Sequence, residues 1–307
     1  MTSGGFSCCG IGVMRETYSN LFKHDKTKVR HSFDRAADTY DESAILQREV
    51  GRRLLERLDY IRIDPQVLLD VGAGTGATTT TLAKRYKKAR LLVLDLSQTM
   101  LLKARRRAPW FRKMNFIGGD AERLPLADSS CDLLFSNLAL QWCNELDSAF
   151  AEFRRVLRPG GLLLFTTFGP DTLRELRSCW SSVDGFSHVS AFMDMHDIGD
   201  ALVRARFQDP VMDMEHFTLT YKEVRKLMED LKAIGAQNAT SGRARGLTGK
   251  GRMRAMTAAY EQYRSGGVLP ATYEVVYGHA WVPEARPPSV MIDLPASRSF
   301  RPDRADN

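Results

Sequence analysis

Between residues 28 and 59 the apolar positions recur at helical spacing. Phe33, Ala36, Ala37, Tyr40 and Ala44 share one face, and Val50, Leu54 and Leu58 continue it. Pro65 closes this stretch. Short apolar runs then alternate with helical segments. The runs predict strands at 67–71, 91–95, 115–118, 132–137 and 161–168, with helices near 75–86, 98–107 and 147–157. Arg158-Pro159-Gly160-Gly161 is a stop-and-turn signal before the fifth strand. Apolar strands alternating with helices predict an α/β fold, with a mostly parallel sheet covered on both faces.

Beyond residue 170 the pattern changes. Segments 171–180, 194–206, 222–234 and 252–264 are predicted helical, and 211–221 and 272–281 extended. Residues 239–251 are polar and glycine-bearing, which predicts a loop. The expected organisation is a loose tail over 1–27, one domain over 28–282 with an N-terminal helical cap at 28–64, and a disordered tail over 283–307, rich in proline, arginine and aspartate.

Composition narrows this picture only a little. A chain of 307 residues with 43% hydrophobic content suffices for one large domain. A formal charge of +7 favours an acidic partner without naming one. The five cysteines, Cys8, Cys9, Cys131, Cys143 and Cys179, are odd in number and have no zinc-site spacing. Reduced thiols, and with them a cytoplasmic location, are the simplest expectation. No apolar run is long enough to span a membrane, and the first twenty residues lack the pattern of a secretory signal.

The chemistry is concentrated where predicted strands end. Val67-Leu68-Leu69-Asp70-Val71-Gly72-Ala73-Gly74-Thr75-Gly76 joins an acid-tipped strand to a glycine turn, and Asp95 ends the next strand about twenty residues on. Gly72-x-Gly74-x-x-Ala77 fits a dinucleotide fingerprint weakly, and nicotinamide or flavin binding stays open on that evidence. Asp70 argues for a cation instead, since a carboxylate repels a pyrophosphate, which seeks bare N–H groups. S-adenosylmethionine carries a sulfonium and an amino group and suits Asp-x-Gly-x-Gly-x-Gly better. Asp95 would accept hydrogen bonds from a ribose diol. Asp120, in Gly118-Gly119-Asp120-Ala121-Glu122-Arg123-Leu124-Pro125, could read an adenine amino group. Ser136-Asn137 ends the fourth strand. The predicted cofactor set is Asp70, Gly72, Gly74, Gly76, Asp95, Leu96, Met100, Asp120, Ala121, Glu122 and Asn137, with no metal.

The order of these motifs resembles the class I S-adenosylmethionine-dependent methyltransferases. That resemblance implies a Rossmann-like, doubly wound sheet with a late antiparallel strand and a helical lid or insertion, at about 170–205 and 222–266. The C-terminal half is more specific. Gly169-Pro170-Asp171-Thr172-Leu173-Arg174-Glu175-Leu176, Asp230-Leu231-Lys232-Ala233-Ile234-Gly235-Ala236-Gln237-Asn238, Gly246-Leu247-Thr248-Gly249-Lys250 and the run from Leu269 to Trp281 are similar to the malonyl-[acyl-carrier protein] O-methyltransferases of biotin precursor synthesis. Phe33-Asp34-Arg35-Ala36-Ala37-x-x-Tyr40-Asp41 and Leu46-Gln47-Arg48-Glu49 match the same family. The likeness runs from about Val29 to Trp281.

It implies methyl transfer to the free carboxylate of a malonyl thioester on an acyl carrier protein. A carboxylate is ionised at neutral pH, so no general base is needed. Arg174 and Arg177 are candidates for a carboxylate clamp, though both also fit a solvated surface. Tyr40 could orient the acceptor, or be a core tyrosine. His188 and His279 fit structural roles better than catalytic ones. Lys222, Arg225, Lys226 and Lys232, with Arg243, Arg245, Lys250, Arg252 and Arg254, could dock the acidic carrier, or form a solvated face. No nucleic-acid partner is expected. Two other readings compete. One is a quinone-type C-methylating enzyme. The other resembles a mitochondrial complex I assembly factor that acts on protein arginine, which the single arginine among residues 1–20 weakens.

Overall fold

The computed structural model of the protein describes residues 23–110, 112–236 and 249–284. Its centre is a seven-stranded sheet. In chain order the strands are β1 (Val67–Val71), β2 (Arg90–Asp95), β3 (Met114–Gly118), β4 (Cys131–Ser136), β5 (Leu157–Phe168), β6 (Gln208–Tyr221) and β7 (Leu269–Trp281). In space they run β3-β2-β1-β4-β5-β7-β6. The first five pair in parallel, and β7 runs antiparallel to both neighbours. The strand order reverses between β1 and β4, which opens a crevice at their carboxyl ends.

Ten helices are described: α1 (Lys26–Ala36), α2 (Tyr40–Ser43), α3 (Ile45–Arg57), α4 (Ala77–Arg85), α5 (Gln98–Arg107), α6 (Leu146–Val156), α7 (Arg174–Ser181), α8 (Met195–Arg204), α9 (Val224–Ala233) and α10 (Lys250–Tyr260). Strand side chains alternate between faces, which sorts the core into two layers. Leu68, Leu91, Leu133 and Leu164 pack with Val50 and Leu54 of α3 and Leu82 of α4. Leu69, Leu92, Leu134 and Leu163 pack with Phe150 and Phe153 of α6 and Leu202 of α8. Over β1, β2, β4 and β5 both faces of the sheet are therefore largely dry, which is why those strands read as apolar runs. Phe150 and Phe153 are fully buried, and each such ring contributes roughly 1.5–3 kcal/mol through removal from water.

Several expected boundaries are corrected. The single helical stretch at 28–59 is three helices. The Thr39 hydroxyl turns back onto the Ala36 carbonyl, 3.2 Å away, and such local bonds compete with helix continuation. Residues 23–27 belong to the folded part rather than to a loose tail. His24 is buried, its N–H donates to Asn144 Oδ1 at 2.6 Å, and Asp25 caps α1 by accepting from the N–H groups of Thr27 and Lys28. The turn signal at 158–161 lies inside β5. Gly160 takes φ +74° there, and a register shift between Cys131 and Leu133 absorbs the irregularity. β6 begins at Gln208, and Pro210 is tolerated because β6 is an edge strand with its own register shift.

The helix expected from 171 begins only at Arg174. The residues before it form a turn bound to β7, where the Asp171 N–H donates to Glu274 Oε2 (2.7 Å) and the Thr172 hydroxyl to the Glu274 carbonyl (3.0 Å). The helix expected over 252–264 starts at Lys250 and ends in a 3-10 turn at Glu261–Tyr263. Most of the polar loop predicted at 239–251 lies outside the described residues, as do Cys8, Cys9, Arg243, Arg245 and nearly all of the C-terminal tail.

Candidate active site

The glycine turn after β1 is shaped by close approach. Gly72 sits at φ +71°, and a Cβ there would stand 2.3 Å from the Cβ of Ala139. Its N–H and that of Ala73 both donate to the Leu94 carbonyl, at 2.8 and 3.1 Å. The turn from β1 is thereby tied to the end of β2. Gly76, at φ +80°, caps α4 against Ala104.

Asp95 stands where these pieces meet. One carboxylate oxygen accepts the Gly74 N–H and the other the Ser97 N–H, each at 2.8 Å. Burial raises its pKa to about 6, against those two amides, which favour the anion. Asp70 is placed differently. It is buried beneath the turn, where the Thr79 hydroxyl donates to it at 2.5 Å. Burial lifts its pKa to about 7 against that bond, and the charge of Asp95 adds to the rise. Asp70 therefore anchors the first turns of α4 and does not face the open cavity.

The N-terminal helices are fastened over both loops. Asp41 accepts from the Thr75 hydroxyl at 2.6 Å and pairs with Arg107. Asp34 accepts from the Ser97 hydroxyl at 2.6 Å. Tyr40 lies over the glycine turn, its Cε1 4.0 Å from the position of a Cβ on Gly74. Burial, then the Asp95 and Asp41 carboxylates, hold the Tyr40 hydroxyl far above its ordinary pKa, so it stays a neutral donor. On the other side, Lys26 of α1 bridges Asp120, at 3.0 Å, and Glu122. Phe33 meets Trp142 edge-on, with centroids 5.3 Å apart.

Together these elements enclose a cavity of about 1040 Å³. Of the predicted cofactor set, Gly72, Gly74, Asp95, Leu96, Met100, Asp120, Ala121 and Asn137 line it, and so does Tyr40. Gly76 and Asp70 support the turn from behind. Glu122 caps the entry to α6 by accepting the N–H groups of Asn144 and Glu145. The cavity continues past Phe168, Leu173 and Tyr273 to a wall made by α9 and by residues 187–192.

Arg174 and Arg177 do not reach this space. Arg174 is exposed and pairs with Asp171 at 3.1 Å. Arg177 donates to the carbonyls of Pro170 (2.7 Å) and Thr172 (2.9 Å), fastening the turn before its own helix. These partners hold both guanidiniums on the turn before α7, and neither residue lines the cavity. Of the predicted docking residues, Lys232 lines the rim, Arg254 is exposed on α10, and Arg252 pairs with Asp184 at 3.3 Å.

Three contributions lie outside the sequence expectation. Lys26 falls in the expected tail, although Asp25 ahead of it is a legible N-cap. Leu138 and Leu173 line the cavity at φ +49° and +55°, backbone strain of the kind that gathers at functional sites. Nothing in a leucine signals this. Asp171, His216 and Glu274 bring three potential ligand atoms within 4.8 Å of one another. None of the three lines the cavity, and Asp171 is already engaged by Arg174.

The chain was compared with known proteins. Residues 69–165 match a family model described as a methyltransferase domain. A malonyl-[acyl-carrier protein] O-methyltransferase of Methylovorus sp. is 54% identical over 287 residues, spanning 91% of this chain and 95% of that protein. One of the same description from Nitrosospira multiformis is 52% identical, spanning 85% and 91%. Among solved structures, Haemonchus contortus phosphoethanolamine N-methyltransferase 2 in complex with S-adenosyl-L-methionine overlays with a TM-score of 0.51 at 18% identity, covering 82% of this chain and 57% of that one. That likeness is one of fold.

Proposed function

The chain belongs to the malonyl-[acyl-carrier protein] O-methyltransferase family, and from that premise we propose that it methylates the free carboxylate of malonyl-acyl carrier protein with S-adenosylmethionine. The methyl ester then primes pimeloyl chain synthesis for biotin. The observation that carries this reading is the 54% identity over nine-tenths of the chain, which takes in the acceptor half as well as the cofactor half.

The residues around the cavity fit the donor. Gly72 and Gly74 let the backbone approach closely, and Asp95 offers a carboxylate already oriented by two amides. It would accept hydrogen bonds from the ribose diol, and Asp120, held by Lys26, would hold the adenine. When bound, S-adenosylmethionine would supply an electrophilic methyl on a sulfonium, with sulfur as the leaving group that keeps the electron pair. No proton moves, so no residue need act as acid or base. The protein's work is alignment and exclusion of water. Tyr40, a neutral donor over the glycine turn, orients the acceptor oxygen. The segments at about 170–205, 222–236 and 249–266 act as the lid over the thioester. The carrier docks through Lys232, Arg252 and Arg254, and the enzyme works in the cytoplasm. Among the described residues no helix is long and apolar enough to cross a membrane.

Incubation with S-adenosylmethionine and malonyl-acyl carrier protein, followed by mass measurement of the carrier, tests the activity. One added methyl is expected. A folded enzyme that leaves the carrier mass unchanged would overturn the reading.

A further inference from the structure

We infer that His188 grips the acceptor's free carboxylate, as an imidazolium braced by Asp184. This rests on the methyl-transfer reading above and names the acceptor-binding group that Arg174 and Arg177 do not provide.

His188 lines the cavity, with Ser187, Val189 and Ser190 beside it. Its side chain is only 14% exposed. The ring lies flat on Trp180, with centroids 3.8 Å apart and 9° between the planes. Its Nε2 is 2.8 Å from Asp184 Oδ1, and Asp184 is itself 11% exposed. Asp184 also accepts the Phe186 N–H at 3.1 Å and is reached by Arg252 at 3.3 Å. Burial works against its charge, but His188, the Phe186 amide and Arg252 outweigh it and hold the carboxyl below the usual range. The anion is thus the resident state at neutral pH, and it takes the Nε2 proton. Among the described residues Asp184 is the hydrogen-bond partner of the ring. With both nitrogens protonated, the ring donates one N–H to Asp184 and the other, from Nδ1, to an entering carboxylate. Trp180 fixes the ring plane and presents a π-face that suits a cation.

The other cations around the cavity are less suited. Lys26 is engaged by Asp120 and Glu122. Arg225 is 84% exposed and paired with Glu229. Lys232 is exposed at the rim. Among the described residues lining the cavity, His188 is the enclosed group able to carry positive charge whose ring has a nitrogen beyond its bond to Asp184.

The kinetic consequence is specific. Methylation turns the carboxylate into a neutral ester, so a cation holds the substrate more tightly than the transition state. Loss of His188 raises KM and leaves kcat equal or higher. The neutral product no longer pairs with the imidazolium and leaves readily.

The test compares malonyl-acyl carrier protein with propionyl-acyl carrier protein, whose acyl group has the same length but no carboxylate. The wild type should methylate the malonyl carrier and bind it at least about tenfold more tightly than the propionyl carrier. In His188→Gln the KM for the malonyl carrier should rise by roughly 10- to 100-fold. That variant should bind propionyl carrier and S-adenosylmethionine as the wild type does. Asp184→Asn should show the same change, smaller. An unchanged malonyl-to-propionyl ratio in His188→Gln overturns the inference. A wild type without methyl transfer overturns the functional reading instead. Should the variants fail to bind S-adenosylmethionine, imidazole nitrogen resonances of the wild type decide the matter. Malonyl carrier should move the His188 Nδ1 signal into the protonated range and propionyl carrier should not; equal responses refute the assignment.

Discussion

The N–H of Gly74 points at the carboxylate of Asp95, 2.8 Å away, so the end of one strand fixes the turn that leaves its neighbour. An Asp95→Ala change removes both the ribose acceptor and the brace. Charge-assisted bonds of this kind are worth about 1.5–3 kcal/mol. The Kd for S-adenosylmethionine should rise by roughly 10- to 100-fold in isothermal calorimetry. An unaltered Kd would show that Asp95 does not hold the cofactor.

Asp70 gives the ligand-free protein a pH signature. Its folded pKa, about 7, lies above that of an exposed carboxyl. The folded state therefore binds its proton more tightly than the unfolded state, and the stabilisation is lost as pH rises from about 4 to about 7. His24 and His279, lowered by burial, act in the opposite direction. They cancel when wild type is compared with Asp70→Asn. The Tm of Asp70→Asn relative to wild type should climb between pH 5 and pH 8. A flat difference across that range would show that Asp70 titrates as an ordinary carboxyl.

Gly72→Ala puts a methyl against Ala139 on a left-handed backbone. A loss of about 1–3 kcal/mol in chemical denaturation is expected, with weakened cofactor binding. Wild-type stability in this variant would mean that the turn moves freely.

Tyr40→Phe removes the neutral hydroxyl above the glycine turn and keeps the ring. Steady-state assays should show kcat reduced about tenfold, with the cofactor Kd within about twofold of wild type. Equal loss in both would assign Tyr40 to packing of the cap.

Carrier docking is best probed at Lys232 and Arg254, because Arg252 also touches Asp184. Lys232→Glu with Arg254→Glu should raise KM for malonyl-acyl carrier protein about tenfold at low ionic strength, less at high salt. KM for malonyl-coenzyme A should stay unchanged. Equal effects on the two acceptors would place the charges at the thioester rather than at the carrier.

The cofactor half was legible because its strands are buried on both faces and its chemistry sits at strand ends. Gly72, Gly74 and Asp95 announce themselves by local spacing, and all three face the cavity. Asp70 shows the limit of that logic. Its type and position are those of a ligand, yet the pleat turns it beneath the turn toward Thr79. Other parts of the site depend on contacts between distant segments. Lys26 meets Asp120 across 94 positions, and Arg252 meets Asp184 across 68. Periodicity reports which face of a helix is buried, but not which segment buries it. Arg174 and Arg177 are held by Asp171 and by the carbonyls of Pro170 and Thr172, in a turn that Glu274, on a strand far along the chain, ties down through the Asp171 amide.

β7 lies between β5 and β6, although both are earlier in the chain. A ribosome therefore releases β5 with its outer edge bare, and β6 without a neighbour to pair with, until residues 269–281 emerge. Tyr273, which lines the cavity, and Glu274, which accepts the Asp171 N–H ahead of α7, arrive with that strand. The side of the cavity lined by Tyr273 is thus assembled last. A nascent chain stalled before residue 269 presents open strand edges to chaperones and proteases. The cofactor half, β1 to β4 with their helices, is by then already emerged.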